Sequence, residues 1–475
     1  MSQILFHYQR PDPVTWVYLS SLLIIGLFFV FYRIWSLRNV DILLLLLLSP
    51  GLLMVHEGRQ LRVAGETIVE ATHSSQPPMP PEIAERIEVA TPDELLGMAD
   101  AATQTQPPEV LVAGVNVADV ERWGFIWLLG VAGLICIRMI LDPILVRRPL
   151  LDPNLSTGGL SFIGIAMFIF LMANVITSTA EIQAAQGPKP GPGYPLVNRL
   201  PAIATTPDAE NTGVAEPVRY AGVARALAIA SQLAVALGVV FIGQFHFKNI
   251  RAGVGAAALY LLLPYTAQTT GRVDHVLPAA LLIWAVFCYR RPILSGIFIG
   301  LAAGLVYYPL FLLPLWISFY WQRGLRRFLY GMGLTVAVLA ALLFLGERDL
   351  ILDRVQQMFG LWLPVTKGLA GIWGLGWNPI WRLPILVAFG VLSGFFAFWP
   401  GQKNLGTLMS CSAAVMAAAQ FWHGYGGGLY VAWYLPLMLL TVFRPNLEDR
   451  IALKVIGNGR KRIGNHELAA DSEAA

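Results

Sequence analysis

Thr270-Gly271-Arg272-Val273-Asp274-His275 stands between two apolar runs, one ending near Pro264 and the next beginning near Val276. Downstream come Arg290-Arg291-Pro292, then Val306-Tyr307-Tyr308-Pro309-Leu310 and Leu313-Pro314-Leu315. A carboxylate at the edge of an apolar span costs free energy unless it is hydrated, paired or used, so Asp274 marks a candidate site. The plainer reading is a loop aspartate that caps the following helix.

The runs around Asp274 belong to a pattern that fills the chain. Of 475 residues, 56% are hydrophobic and only 13% are charged, with mean hydropathy +0.61. A soluble domain carries about 25% charged residues. Repeated apolar runs of roughly 18 residues or more point to an all-α, polytopic transmembrane helix bundle. A transmembrane β-barrel would show short alternating segments instead.

The net charge of +4 is small. The basic residues carry no interleaved aromatic platform, so no nucleic-acid partner is expected. Cys136, Cys288 and Cys411 sit inside apolar runs and read as packing residues, with no disulfide or CxxC metal framework. The first apolar run starts near Val14 without a small-residue cleavage site, so it is expected to remain as an anchor.

About thirteen spans are predicted, near 14–32, 41–55, 123–141, 158–176, 221–243, 252–268, 275–289, 293–306, 307–321, 328–345, 380–399, 405–421 and 427–443. The split between the eighth and ninth rests on Tyr308-Pro309 and Pro314. Basic residues then fall in alternate turns: Arg33/Arg38, Arg138/Arg147/Arg148, Lys248/Arg251, Arg290/Arg291, Arg323/Arg326/Arg327 and Lys403. The positive-inside rule places the N-terminus outside and the C-terminus in the cytoplasm.

The outside segments are 56–122, 177–220, 269–274 and 346–379. The first, with Gln76-Pro77-Pro78-Met79-Pro80-Pro81, reads mostly as a mobile loop, with a helical piece over 81–101. The second holds Gly187-Pro188-Lys189-Pro190-Gly191-Pro192-Gly193-Tyr194-Pro195, which cannot be helical. Residues 446–475 read as a disordered cytoplasmic tail. Arg147-Arg148-Pro149 punctuates the chain into a three-span leader module, 1–150, and a ten-span core, 156–445.

Over 156–445 the sequence resembles the GT-C superfamily of integral-membrane glycosyltransferases, in particular the polyprenyl-phosphate-mannose-dependent type of the bacterial cytoplasmic (inner) membrane. Four features carry the resemblance: a span followed by a long loop with Tyr194-Pro195; Leu262-Leu263-Pro264 before Gly271-Arg272-Val273-Asp274; Arg290-Arg291-Pro292 before Gly296, Gly300 and Gly304; and Tyr308-Pro309-Leu310 before Leu313-Pro314.

The resemblance implies inverting sugar transfer from a polyprenyl-phosphate-linked donor to a hydroxyl of a glycan, lipid or protein, at the outer membrane face. It implies no cofactor and no metal. The general base would be an acid in the first outside loop of the core, where Glu181 is nearest the membrane; Asp208, Glu210 and Glu216 lie farther along. Asp274 is the second catalytic candidate. Arg272, His275, Tyr307, Tyr308 and His423 are substrate-binding candidates. The family often has Lys before Tyr-Pro, whereas this chain has Val306-Tyr307, so the phosphate cation would come from Arg272, Arg199 or Lys367.

Blander readings stand beside these. His56-Glu57 reads as a hydrated helix end, His423-Gly424-Tyr425-Gly426-Gly427-Gly428 as a tight turn, and Trp433-Tyr434 as packing aromatics. Asp274-His275 supplies too few ligands for a metal, and no Walker-A or HExxH text occurs. The competing function class is a non-enzymatic membrane protein, a transporter or assembly scaffold. The absence of a convincing internal repeat argues against the transporter.

Overall fold

The computed structural model describes residues 12–74, 111–112, 115–145, 151–178, 200, 203, 220–344 and 369–445. Glu181, Arg199, Asp208, Glu210, Glu216 and Lys367 lie outside them, as do the 81–101 piece, Tyr194-Pro195, the Arg147-Arg148-Pro149 boundary and the tail.

The described chain is overwhelmingly helical: α1 (Pro13–Phe28), α2 (Leu37–Leu46), α3 (Leu48–Ser74), α4 (Val117–Leu141), α5 (Thr157–Thr177), α6 (Ala221–Phe241), α7 (Ile250–Leu262), α8 (Pro264–Thr269), α9 (Val273–Phe287), α10 (Pro292–Leu305), α11 (Leu313–Tyr320), α12 (Leu325–Phe344), α13 (Arg382–Phe398), α14 (Leu405–Trp422) and α15 (Leu435–Phe443). A short antiparallel ribbon, Leu111–Val112 against Val115–Asn116, precedes α4. Among the described residues, seven helical stretches are long and apolar enough to cross a membrane. Shorter apolar helices accompany them. This is a helical, membrane-embedded protein.

Local chemistry sets the boundaries. Asp12 accepts from the Val14 and Thr15 amides, Ser36 from Asn39, Ser156 from Gly159 and Asn249 from Ala252. Asn404 and Thr407 form a reciprocal capping box at the start of α14. Prolines interrupt the long apolar runs. The predicted 252–268 run stops at Leu262 and restarts at Pro264. The 293–321 run ends its first helix at Leu305, passes through extended Val306, and resumes as a 3-10 turn over Tyr308–Leu312 before α11. Proline has no amide hydrogen to donate and its ring clashes with the preceding turn, so each restart begins at or beside one.

Two stretches differ from the sequence reading. Residues 56–74, read as the start of a mobile loop, continue α3 as helix. Leu61, Ala64, Ile68 and Ala71 recur there at helical spacing, even though the run is too polar for a membrane core. The 427–443 run is helical only over Leu435–Phe443, preceded by a 3-10 turn over Val431–Trp433, because Gly424 to Gly428 and Pro436 break the periodicity.

α14 is the axis of the bundle. In its most apolar window 94% of residues are buried, against 11% for Leu325–Leu342, 22% for Pro379–Phe398 and 28% for Thr157–Thr177. The last three therefore present their apolar faces outward, where lipid replaces a protein neighbour. One continuous apolar core joins helices from both parts of the chain, including Ile24, Phe125, Ile135, Leu259, Leu408 and Met438. Cys136 and Cys411 are buried within it.

α10 and α12 approach at glycines. A Cβ on Gly296 would lie 2.2 Å from the Phe328 carbonyl, and one on Gly331 would lie 2.3 Å from the Ile293 carbonyl. Small residues let helix backbones touch where lipid gives no hydrophobic drive. Gly296→Val is expected to destabilise the protein by about 3 kcal/mol, the upper range for overpacking, because the obstacle is backbone. Thermal unfolding in detergent checks this; Gly333→Val, whose Cβ meets nothing within 4 Å, should leave the midpoint nearly unchanged.

Candidate functional site

The break at Leu263-Pro264 places α8, the Thr270-Gly271 turn and the first turn of α9 at one end of the bundle. Thr266 and Thr270 donate their hydroxyls to the Tyr260 and Thr266 carbonyls, so this polar turn satisfies itself. Asp274 lies in the first turn of α9, where backbone N–H groups favour a negative charge. Gly271 is required: a Cβ there would lie 2.2 Å from the Ile203 carbonyl. Ile203 is buried against Val175, Ala224, Ala228 and Val273. Arg225 donates to the Ser178 carbonyl. Within 177–220, Ser178 and Ile203 are thus tied down, Ile203 beside Gly271, the residue immediately before the Arg272 to His275 turn.

Arg272 grips Asp274 with both prongs, Nη2 to Oδ2 at 2.8 Å and Nε to Oδ1 at 3.2 Å. Asp274 keeps 34% of its side-chain surface exposed and Arg272 18%. His275 Nε2 lies 3.8 Å from Asp274 Oδ2. Its Nδ1 is 2.8 Å from the Tyr265 hydroxyl. Tyr430 stacks on His275 with ring centres 4.2 Å apart and meets His423 edge-on at 4.5 Å. His423 repeats the arrangement, with Nδ1 2.7 Å from the Tyr308 hydroxyl. Tyr307 stacks on Tyr308 at 4.3 Å. Trp433 donates its indole N–H to the Asp274 backbone carbonyl at 3.2 Å.

Six sequence candidates therefore converge: Asp274, Arg272, His275, Tyr307, Tyr308 and His423. His423 is not merely part of a glycine turn, because its ring is built into the aromatic cluster. Its Nε2 is buried with no hydrogen-bond partner among the described residues. A buried polar atom left unpaired calls for a water, a ligand or a functional reason. Trp433, read as packing, bonds to the backbone of Asp274. Glu57 is exposed but lies within α3, so His56-Glu57 is not the helix end that the sequence suggested. Among the described residues, no group of three His, Cys, Asp or Glu side chains gathers as metal ligands.

Four participants were not singled out from sequence. Tyr265 and Tyr430 each pair with a histidine, as above. Arg382 donates to the Trp422 carbonyl at 3.2 Å and lies 5.5 Å over the Trp422 ring. Arg59, from α3, bonds Glu121 at 3.1 Å and lies 5.7 Å over Phe125. Tyr430 carried a weak signal, as an aromatic two residues after a glycine-rich turn. Arg59 carried none, since its segment read as loop.

Burial, and then the nearby Arg382 charge, push the His423 pKa down to about 3. His423 is therefore neutral near pH 7. A histidine with a depressed folded pKa contributes stability that is complete above its unfolded value of 6.5 and is lost as pH falls toward the folded value, because the unfolded chain binds the proton first. Between pH 6.5 and pH 5 this loss is about 2 kcal/mol. Thermal unfolding of native protein and His423→Gln at pH 8, 6.5 and 5 should show the variant losing less on acidification.

No protein-family model, curated protein or solved structure matches this chain. The cluster offers one fixed guanidinium–carboxylate pair, two histidines each oriented by a tyrosine, and a wall of aromatic rings.

Proposed function

We propose that this chain is a membrane transferase that moves a sugar from a polyprenyl-phosphate-linked donor to an acceptor hydroxyl at the outer face of a bacterial cytoplasmic membrane. What carries the reading is the convergence of Arg272, Asp274, His275, Tyr308 and His423 at one end of an apolar bundle, with a buried His423 nitrogen left for a ligand. Apolar helices suit the lipid chain, a guanidinium suits the phosphate, and aromatic faces suit the sugar.

In the proposed reaction Glu181 takes the acceptor hydroxyl proton. The acceptor oxygen bonds to the sugar's anomeric carbon as the carbon–oxygen bond to phosphate breaks, and polyprenyl phosphate leaves with the electron pair. This is a direct displacement with inversion and needs no cofactor. Asp274 holds Arg272 in place through both its oxygens, which suits a positioning role better than proton abstraction. Arg199 and Lys367 are further phosphate contacts from the loops. The acceptor is a glycan, lipid or protein.

One observation favours the second reading, a non-enzymatic scaffold. Arg272 and Asp274 satisfy each other, and Trp433 ties down the same turn, as a purely structural plug would require. Mass spectrometry of polyprenyl-linked lipids after deletion of the gene separates the two. The transferase reading expects a polyprenyl-phosphate sugar to accumulate and a glycan to disappear; an unchanged lipid and glycan profile favours the scaffold. A periplasm-dependent reporter fused after residue 190 should be active; a silent fusion would invert the proposed orientation.

A further inference from the structure

The end of the bundle opposite Asp274 carries a concentration of charge that the proposed reaction does not use. Between Asp274 and Glu347 the sequence contains no Asp or Glu, and its only Lys or Arg residues are Arg290, Arg291, Arg323, Arg326 and Arg327. They fall on two turns, α9–α10 and α11–α12. α9 runs about 22 Å away from the Asp274 turn before reaching the first of these.

The turns are side by side. The Tyr320 hydroxyl donates to the Tyr289 carbonyl at 2.5 Å and to Ser295 Oγ at 3.3 Å. Gly296 packs on the Phe328 carbonyl and Gly331 on the Ile293 carbonyl. Buried Phe328 stacks on Trp316, anchoring the start of α12. The backbone beneath the arginines is therefore fixed.

The side chains above it are open. Arg291, Arg323, Arg326 and Arg327 are exposed. Among the described residues, Arg290 bonds only the neighbouring Tyr289 hydroxyl, at 3.0 Å. No acid among the described residues pairs with any of the five. Trp321 and Tyr330 flank them, 68% and 65% exposed. At a bilayer boundary such rings sit at headgroup depth. The cations are all arginine, whose planar fork matches phosphate oxygens.

We propose that this paired turn binds the headgroups of anionic glycerophospholipids, with Arg323, Arg326 and Arg327 as the principal phosphate contacts and Trp321 and Tyr330 packed against the glycerol region. The proposal is independent of sugar transfer. A basic turn that only set orientation during insertion would retain neither anionic nor zwitterionic lipid in detergent. A turn that holds anionic lipid discriminates between them.

The test is a titration of the purified full chain, in detergent, with phosphatidylglycerol and separately with phosphatidylcholine, read by native mass spectrometry. The native chain is expected to retain phosphatidylglycerol selectively and to release it as salt rises. Arginines near an anionic surface contribute about fivefold each, so Arg323→Gln/Arg326→Gln/Arg327→Gln together should weaken retention roughly a hundredfold. The variant's melting temperature in phosphatidylcholine should match the native chain's. Equal retention of the two lipids by the native chain overturns the proposal, as does salt-independent retention, undiminished retention in a folded variant, or equal competition by inorganic phosphate at the same concentration. The first two readouts need only the native chain, so a variant that fails to fold leaves the test intact.

Discussion

Replacing Arg138 with methionine is expected to cost about 3–5 kcal/mol of stability, the range for breaking a buried ion pair from one side. Arg138 donates to both oxygens of Asp41, at 2.8 and 3.0 Å, and to Asp142 at 3.1 Å. Arg444 closes the network on the other Asp142 oxygen at 2.6 Å. Asp142 is fully buried, and Arg138 and Asp41 are nearly so. Methionine fills much of the volume but leaves Asp41 without its guanidinium and Asp142 with one partner fewer, in a medium where an uncompensated charge is expensive. The network links α2, α4 and the end of α15, so the loss should loosen the whole bundle. Thermal unfolding in detergent reads it. Asp119→Asn removes the charge pairing of an i,i+3 pair with Arg122 in which the Arg122 and Asp119 side chains are 38% and 47% exposed, and its loss should cost well under about 1 kcal/mol. Equal effects for the two variants would mean that burial does not set the cost.

The largest functional effect is expected at Glu181. In the proposed role of general base, replacing Glu181 by glutamine would remove the proton acceptor while keeping shape, and general-base catalysis contributes roughly 10²–10⁴-fold. Asp274→Asn should behave differently. The amide keeps one acceptor oxygen toward Arg272 but loses the charge that fixes the guanidinium, so donor affinity should fall more than turnover. In steady-state transfer assays, Glu181→Gln is expected to lower kcat with KM little changed, and Asp274→Asn to raise KM. The reverse pattern would exchange the two roles; full activity in Glu181→Gln would remove it as base.

What could be read from the sequence is what depends on neighbours in the chain. The apolar runs, the interruption at Tyr308-Pro309 and the placement of Asp274 at a helix start all follow from local composition and from proline. Long-range pairing is invisible at that level. Arg138 counts as one more basic residue beside a turn until Asp41, almost a hundred positions earlier, is seen to neutralise it. Arg59 sat in a segment whose polarity suggested loop, and only the continuation of α3 brings it to Glu121. Tyr265 and Tyr430 acquire meaning only because folding sets them beside His275 and His423. The pairing of Arg272 with Asp274, two positions apart, was within reach of sequence, since a first-turn acid next to an arginine favours it.

On the proposed function, this end of the bundle holds a lipid-borne phosphosugar. The most direct measurement is equilibrium binding of a short-chain polyprenyl-phosphate mannose to the purified protein, alongside Arg272→Leu and His423→Leu. The account predicts saturable binding by the native chain, much weaker binding by both folded variants, and none of the free polyprenol. Binding that is absent in the native chain, or unaltered by either change, would contradict it.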